Sequence, residues 1–456
     1  MAAIKNKNTP VEVFESMPIH SALTKMAIPT IASQLVVLIY NLADTWFIGK
    51  TNNPYMVAAS SLVLTVFLLT SALSNLFGTG GGTLVVRLLG AKQEDEAKKA
   101  ASLSLVMAAG ATLFFSLCCL IFMNPLLNAL GASENTIGYA RQYLFFVVIL
   151  GGLPTVLSNT MSNMVRNVGY SKEAGFGLSM GGLLNVALDP LFMFVLLPDG
   201  YQVMGAAIAT MLSNMVVLCY FIVIYKKLSS KSVLELPKRI ERVSRDSFKS
   251  LFAVGLPAAS GVMLYDLSNM VINRLSSGHG DIELAAIGIV LKAERLPINI
   301  GLGICFGMMP LIAYNFAAKN HSRMMSFFST ARTYGLIVAA ISLVLYRTFA
   351  PFIVRAFISD AETVMLGTEF IKVRCLAPAF MFLSFHMVHF MESVGRGKVA
   401  FWLCVIRQLC LNIPILIIMD HFFGMKGIVF TQVFADFFNV VATYIIYFRV
   451  KASLLQ

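Results

Sequence analysis

The sequence predicts an all-α polytopic membrane protein with about twelve transmembrane helices in two pseudo-symmetric six-helix lobes. Three observations carry that prediction. Of 456 residues, 57% are hydrophobic and only 13% are charged, whereas soluble proteins average roughly 25% charged. Long charge-free runs recur along the chain, which has a mean hydropathy of +0.77. The second half also repeats the first weakly. A soluble chain of this length would divide into about three domains, each needing a polar surface. Too few polar residues are present to cover them. The composition therefore excludes a cytosolic enzyme, a disordered chain and a secreted disulfide scaffold, and no enzymatic reaction is expected.

A membrane-crossing helix needs about 20 mostly apolar residues. No charge falls between Lys25 and Asp44, between Lys50 and Arg87, or between Ala100 and Glu134. The same holds between Arg141 and Arg166, from Gly200 to Tyr225, and from Leu296 to Ala318. Strands would give weaker segments of about ten residues with alternating polarity. The spans fall at 22–48, 55–83, 99–123, 138–163, 172–197 and 203–226 in the first half. In the second they fall at 250–274, 283–313, 327–348, 364–392, 399–419 and 425–449.

Basic residues set the orientation. Lys5 and Lys7 precede the first span, Arg87, Lys92, Lys98 and Lys99 follow the second, and Arg166 and Lys172 follow the fourth. Eight more run from Lys226 to Lys249, among them Lys238, Arg239 and Arg242. Asn124–Ile137 and Pro198–Gln202 contain none, although Arg347 and Arg355 fall against the trend. This bias predicts a membrane protein with both termini cytoplasmic, and it assigns the net charge of +12 to the cytoplasmic membrane face rather than to nucleic acid. The expected parts are an N-terminal segment (1–21), an N-lobe (22–226), a basic linker (227–249), a C-lobe (250–449) and a C-terminal tail (450–456). The start is not a cleavable signal peptide, because its apolar stretch begins too late. The seven cysteines lie in apolar runs without a C-x-x-C pair, so they read as small buried hydrophobes rather than zinc ligands or disulfides.

The repeat aligns Ile28–Ala58 with Leu256–Ala286 without a gap, placing Pro29 on Pro257 and Asn41 on Asn269. After a one-residue shift, Leu89–Lys92 falls on Phe316–Lys319. Six helices per half give both halves the same orientation, the parallel repeat from which transporters with a central cavity are built.

Each charge inside a span needs a reason, because it costs about 2.5–3.5 kcal/mol on insertion scales. The first span carries Gln34, Asn41 and Thr45 as one helical stripe, with Asp44 beside it. The fifth carries Asn185 and Asp189 on one face, followed by Pro190, and the sixth carries Thr210. Desolvation penalises a charged carboxylate there, so it either holds a proton or stays ionised around a cation such as Na⁺. A competing reading makes Asp44 a helix cap and Asp189 the start of a proline turn.

The segments Asn41–Gly49, Arg87–Lys92, Leu184–Pro190 and Gly205–Thr210 resemble the MATE (multidrug and toxic compound extrusion) family. Pro310–Lys319 and Gly395–Gly397 extend the resemblance to the second half. It covers essentially the whole chain and includes the bacterial MepA-type multidrug exporters. It implies a MATE/MOP-type fold and export of diverse, mainly cationic amphipathic drugs driven by inward H⁺ or Na⁺. The coupling residues it implies are Asp44, Asn185, Asp189 and Thr210, with Pro29 as the kinking proline of the first helix. NorM-type members also place a coupling Glu and Asp in the second lobe, but those positions here are about Tyr265 and Phe385, with Asp266 one residue beyond. That departure argues for coupling in the first lobe.

Other signals stay open. Gly78–Gly82 lacks the Gly-Lys-Ser/Thr ending of a phosphate loop and reads as helix packing. His386, His389 and Glu392 share one helix face, as a metal site or, better, as polar lining of the second-lobe cavity. Glu294 either pairs with Arg295 or attracts a cationic substrate. Substrate-cavity or gating candidates are therefore Pro29, Gln34, Asn41, Asp266, Glu294, His386 and His389. No cofactor beyond the coupling ion and no resident metal is expected, and the chain is expected to act as a monomer in the lipid bilayer on small-molecule organic cations. The alternatives are a lipid-linked precursor flippase, which the second-half bases Lys292, Arg295 and Arg407 keep open, and a non-transporting sensor or scaffold. First-lobe candidates that are acidic or neutral favour drug export.

Overall fold

The computed structural model describes residues 10–237 and 243–455. Lys5, Lys7, Lys238, Arg239 and Arg242 of the charge pattern, like Gln456, lie outside the described residues. Among the described residues the chain is helical throughout, with no strand. A short α1 (Pro10–Glu15) precedes α2 (Ile19–Gly49), α3 (Pro54–Gly90), α4 (Glu94–Ile121) and the short α5 (Met123–Ala129). Next come α6 (Ile137–Leu144), a π-helical stretch, α7 (Gly152–Asn167), α8 (Ser171–Leu191) and α9 (Gln202–Leu228). The second half holds α10 (Arg245–Ser276), α11 (Asp281–Ala317), α12 (His321–Arg355), α13 (Ala361–Arg374), α14 (Ala377–Ser393), α15 (Gly397–Val405) and α16 (Ile413–Leu455).

Nine of these units are long and apolar enough to cross a membrane, and two further units, α6–α7 and α13–α14, cross as pairs bent by 43° and 48°. The ninth unit, Gly397–Val450, has 54 residues, or about 80 Å of helix at ~1.5 Å per residue. The hydrocarbon layer is only about 30 Å thick. Gly424, at φ 58° and ψ −143°, breaks the helix and lets it cross twice, which completes the twelve expected spans. The sequence reading missed α1, α5 and both bends.

Local chemistry starts and stops the helices. Asn53 Oδ1 accepts from Tyr55 N–H at 3.0 Å and Pro54 occupies the first turn of α3, where its missing donor costs nothing. Asp360 Oδ2 accepts from Thr363 N–H at 2.8 Å to open α13. The Thr363 hydroxyl donates to the same oxygen at 2.7 Å, and the two hydrogen bonds hold the Asp360 carboxyl below its usual range.

Helix ends also reveal the repeat. Positive φ occurs at Asn52 and Gly280, at Lys92 and Lys319, and at Gly169 and Gly395, which are matching positions in the two halves. After α3, Gln93 N–H returns to Leu88 O at 2.9 Å, and after α11, Asn320 N–H returns to Asn315 O at 2.8 Å. Both closures are Schellman turns, with a left-handed residue just beyond the helix.

The halves join chiefly through two equivalent contacts, α3 with α10 and α2 with α11, and α3 also meets α11. A methyl on Gly80 would lie 2.5 Å from Leu251 O, and one on Gly307 would lie 2.6 Å from Ala27 Cα. Glycine there lets two backbones touch, as close helix pairs in membranes require. The Gly78–Gly82 run is therefore packing, as expected. Both joints lie toward the face that carries α1 and the end of α16. On that face Phe14 stacks on Tyr314 with ring centroids 5.0 Å apart. Arg323 donates to Phe14 O at 2.7 Å, and Tyr447 belongs to the same apolar cluster.

Candidate functional site

Two cavities adjoin where the halves meet, sharing Asn75, Val262, Leu302 and Phe306. The first-half cavity, about 400 Å³, is lined by α2, α3, α7, α8 and α9. Its wall is unusually polar for a membrane interior: Asn159, Asn163, Asn185, Asn214 and Thr210 all face it. Amides and hydroxyls at such depth need partners, and Asn214 Nδ2 donates to Thr155 Oγ1 at 2.9 Å.

At one edge lies the acidic cluster. Asp189 is fully buried and Asn185 is 3% exposed. Asn185 Nδ2 donates to Asp189 Oδ1 and to Thr210 Oγ1, each at 3.3 Å. The spacing of four residues along α8 puts the first pair on one face. Asp44 of α2 faces Asp189 within range of charge interaction, and Tyr40 and Tyr143 share that neighbourhood. Asp44 Oδ1, Asn185 Oδ1 and Asp189 Oδ2 are buried oxygens without a hydrogen-bond partner among the described residues. An oxygen-rich cluster of this kind can hold a proton or a hard cation.

The second-half cavity, about 230 Å³, is lined by Tyr265, Asp266, Phe385, His389, Glu392 and Arg407, among others. Tyr265 and Phe385 meet edge to face at 6.3 Å. His389 Nδ1 lies 2.8 Å from Glu392 Oε2, and Arg407 Nε donates to Asp436 Oδ1 at 2.7 Å.

The MatE family profile matches residues 29–191 and 257–418, a tandem match beginning at Pro29 and Pro257. This chain belongs to the MatE family. The multidrug export protein MepA of Staphylococcus aureus (strain MSSA476) is 28% identical over 98% of both chains. That of Staphylococcus saprophyticus is 27% identical with the same coverage. An outward-facing structure of a multidrug resistance MATE family transporter superposes with a TM-score of 0.90 at 20% identity, covering 98% of this chain and 99% of that one.

Within this MatE framework Asn185, Asp189 and Thr210 are joined by hydrogen bonds with Asp44 beside them, and Gln34 lines the cavity. Asn41 does not join them. It is exposed, as is Thr45, whose hydroxyl donates to Asn41 O at 2.9 Å. The inward series on α2 is Gln34, Val37 and Tyr40, leading to Asp44, because successive turns of three to four residues carry the stripe past Asn41. Pro29 sits in an unbroken α2, its carbonyl against Gly175 of α8.

In the second half, Asp266 and His389 line the cavity, but Glu294 and His386 do not. Glu294 is locked bidentately to Arg374 at 2.7 and 2.8 Å, with residue exposures of 4% and 2%. It therefore pairs neither with Arg295 nor with a substrate. His386 is wholly buried, its Nε2 3.0 Å from Phe328 O and its ring 4.4 Å from the Phe328 ring. Among the described residues no cluster of three metal-ligating side chains occurs. Arg166 is no loop residue: it lies in the last turn of α7 and lines the first-half cavity, so that cavity is not purely acidic and neutral. Asp436 was missed, although a charge inside the last apolar run is the same signal that singled out Asp44. Tyr40 and Tyr143 carried no signal, since tyrosine is common in apolar helices.

Proposed function

We propose that this chain is a cation-coupled antiporter of the bacterial plasma membrane, with both termini cytoplasmic. It exports structurally diverse, mainly cationic amphipathic drugs and toxic compounds. The observation that carries this reading is the Asp44–Asn185–Asp189–Thr210 cluster, whose three unpartnered buried oxygens adjoin a polar cavity of about 400 Å³. Two carboxylates side by side and out of water hold their charge only with a cation between them. One H⁺ or one Na⁺ meets that need. The printed names of the relatives, multidrug export proteins over 98% of the chain, support drug export as the task.

In the proposed cycle the ion enters the cluster from outside and α2 bends near Pro29, where the helix lacks one hydrogen bond. The first-half cavity shrinks and the drug leaves. The N-lobe (22–226) and C-lobe (250–449), joined by the linker 227–249, then rock inward and release the ion. The test is drug counterflow in proteoliposomes with pH and Na⁺ gradients imposed separately, alongside drug resistance in cells. Asp44→Asn and Asp189→Asn are each expected to lower gradient-driven efflux by about tenfold or more, as loss of ~1.4 kcal/mol or more of ion binding implies. Both variants should still reach the membrane. Undiminished efflux from either variant removes that residue from the mechanism, and wild-type flux indifferent to both gradients removes cation coupling.

A further inference from the structure

Arg166 is the one arginine below a tenth exposure that lacks a carboxylate partner among the described residues. Arg374 and Arg407 each hold an acid at 2.7 Å. Arg166 is 6% exposed, and no carboxylate of the described residues lies within 4.0 Å of it. Its Nη1 donates to Asn163 Oδ1 at 3.0 Å, while its Nε has no partner. The guanidinium carbon stands 5.8 Å from the Phe306 ring centroid, and both residues line the first-half cavity.

The position in the last turn of α7 offers a simpler role, as a cation against the helix C-terminus. That end is already closed. Gly169 N–H donates to Arg166 O at 3.0 Å and Tyr170 N–H to Val165 O at 3.1 Å. A buried guanidinium with donors to spare is costly unless an anion meets it for part of the working cycle. Planar, forked donors suit a carboxylate.

We propose that Arg166 is a specificity-determining anion subsite of the first-half cavity, holding the carboxylate of those ligands that bear one. The inference rests on the exporter reading above, which makes this cavity the substrate compartment. The apolar body of such a ligand would lie on Leu178, Val217, Leu302 and Phe306, which share the wall with Arg166. The acid cluster stands well away from Arg166, because Asn185 lies about 20 Å along α8 from its start at Ser171, near which α7 ends. The cavity therefore has an acidic end and a basic end, and it takes ligands of more than one charge type.

Rhodamine B and its ethyl ester test this, because they share one cationic chromophore and differ in a free carboxylate. Binding to the purified full-length chain is read by fluorescence polarisation. The wild type is expected to prefer rhodamine B by about tenfold, the effect of one charge-assisted hydrogen-bonded pair. Arg166→Gln should abolish that preference by weakening rhodamine B far more than the ester, and Arg166→Lys should keep part of it through its charge. A wild type without the preference, or one that binds neither dye, overturns the proposal. So does a preference that survives Arg166→Gln, or an equal weakening of both dyes. Should the glutamine variant fold poorly, the wild-type preference and the lysine variant still decide. Counterflow separates the two readings: no transport of either dye under any gradient sinks the exporter reading, whereas transport of both without discrimination sinks only the subsite.

Discussion

Asp44 and Asp189 each keep a buried carboxylate oxygen without a hydrogen-bond partner among the described residues, so neither acid is satisfied by the packing around it. Buried charges elsewhere serve structure. Glu294 and Arg374 satisfy each other in two hydrogen bonds, so removing one leaves the other uncompensated. Glu294→Gln is expected to destabilise the chain by about 3–5 kcal/mol, read as a lowered thermal midpoint of the purified protein. Replacing both partners by apolar residues should recover most of the loss. A single variant as stable as the wild type would show that the pair carries no structural weight. The sequence announced that Glu294 needed a reason but not which one, because its partner lies 80 positions away. Asp189 was readable because its amide partner lies one turn before it on the same face.

At the scale of the element, span identity follows from composition, and composition is local. All twelve spans were therefore legible, as were the glycine run and the repeat. The bends at α6–α7 and α13–α14, at 43° and 48°, were not: the first lies inside a charge-free run, and the second falls just after Glu369, Lys372 and Arg374 in a stretch that reads as one span. They occur at matching places in the halves, each just before a proline (Pro154 and Pro378), so they belong to the repeat. The glycine contacts carry the element-scale prediction. Gly80→Leu and Gly307→Leu each drive a side chain into a facing backbone, an overpacking that costs about 1–3 kcal/mol. Both should lower the thermal midpoint and slow counterflow, and Gly110→Leu, where nothing lies within 4 Å, should do neither. Equal tolerance at all three positions would mean that the joints are not close contacts in the membrane.

In the whole molecule, both joints between the halves lie toward the face that bears the termini, where α1 is fastened to α11 and α12 by Tyr314, Asn315 and Arg323. Closure on that side predicts that the first-half cavity is reached from the other. With native cysteines replaced, Gln34→Cys is expected to react with a membrane-impermeant maleimide several-fold faster from the face opposite the termini. Equal or reversed labelling from the two faces would show that the closed side has been misassigned.

Hydropathy, charge placement and the repeat belong to the chain read along its length, so the sequence alone determined a twelve-span MatE protein with acids stationed in its first half. Which charges meet, which stay alone and which line a cavity depends on residues far apart arriving at the same place. Only the tertiary structure could therefore bind Glu294 to Arg374, withdraw His386 into the packing, and leave Arg166 facing the cavity without an acid.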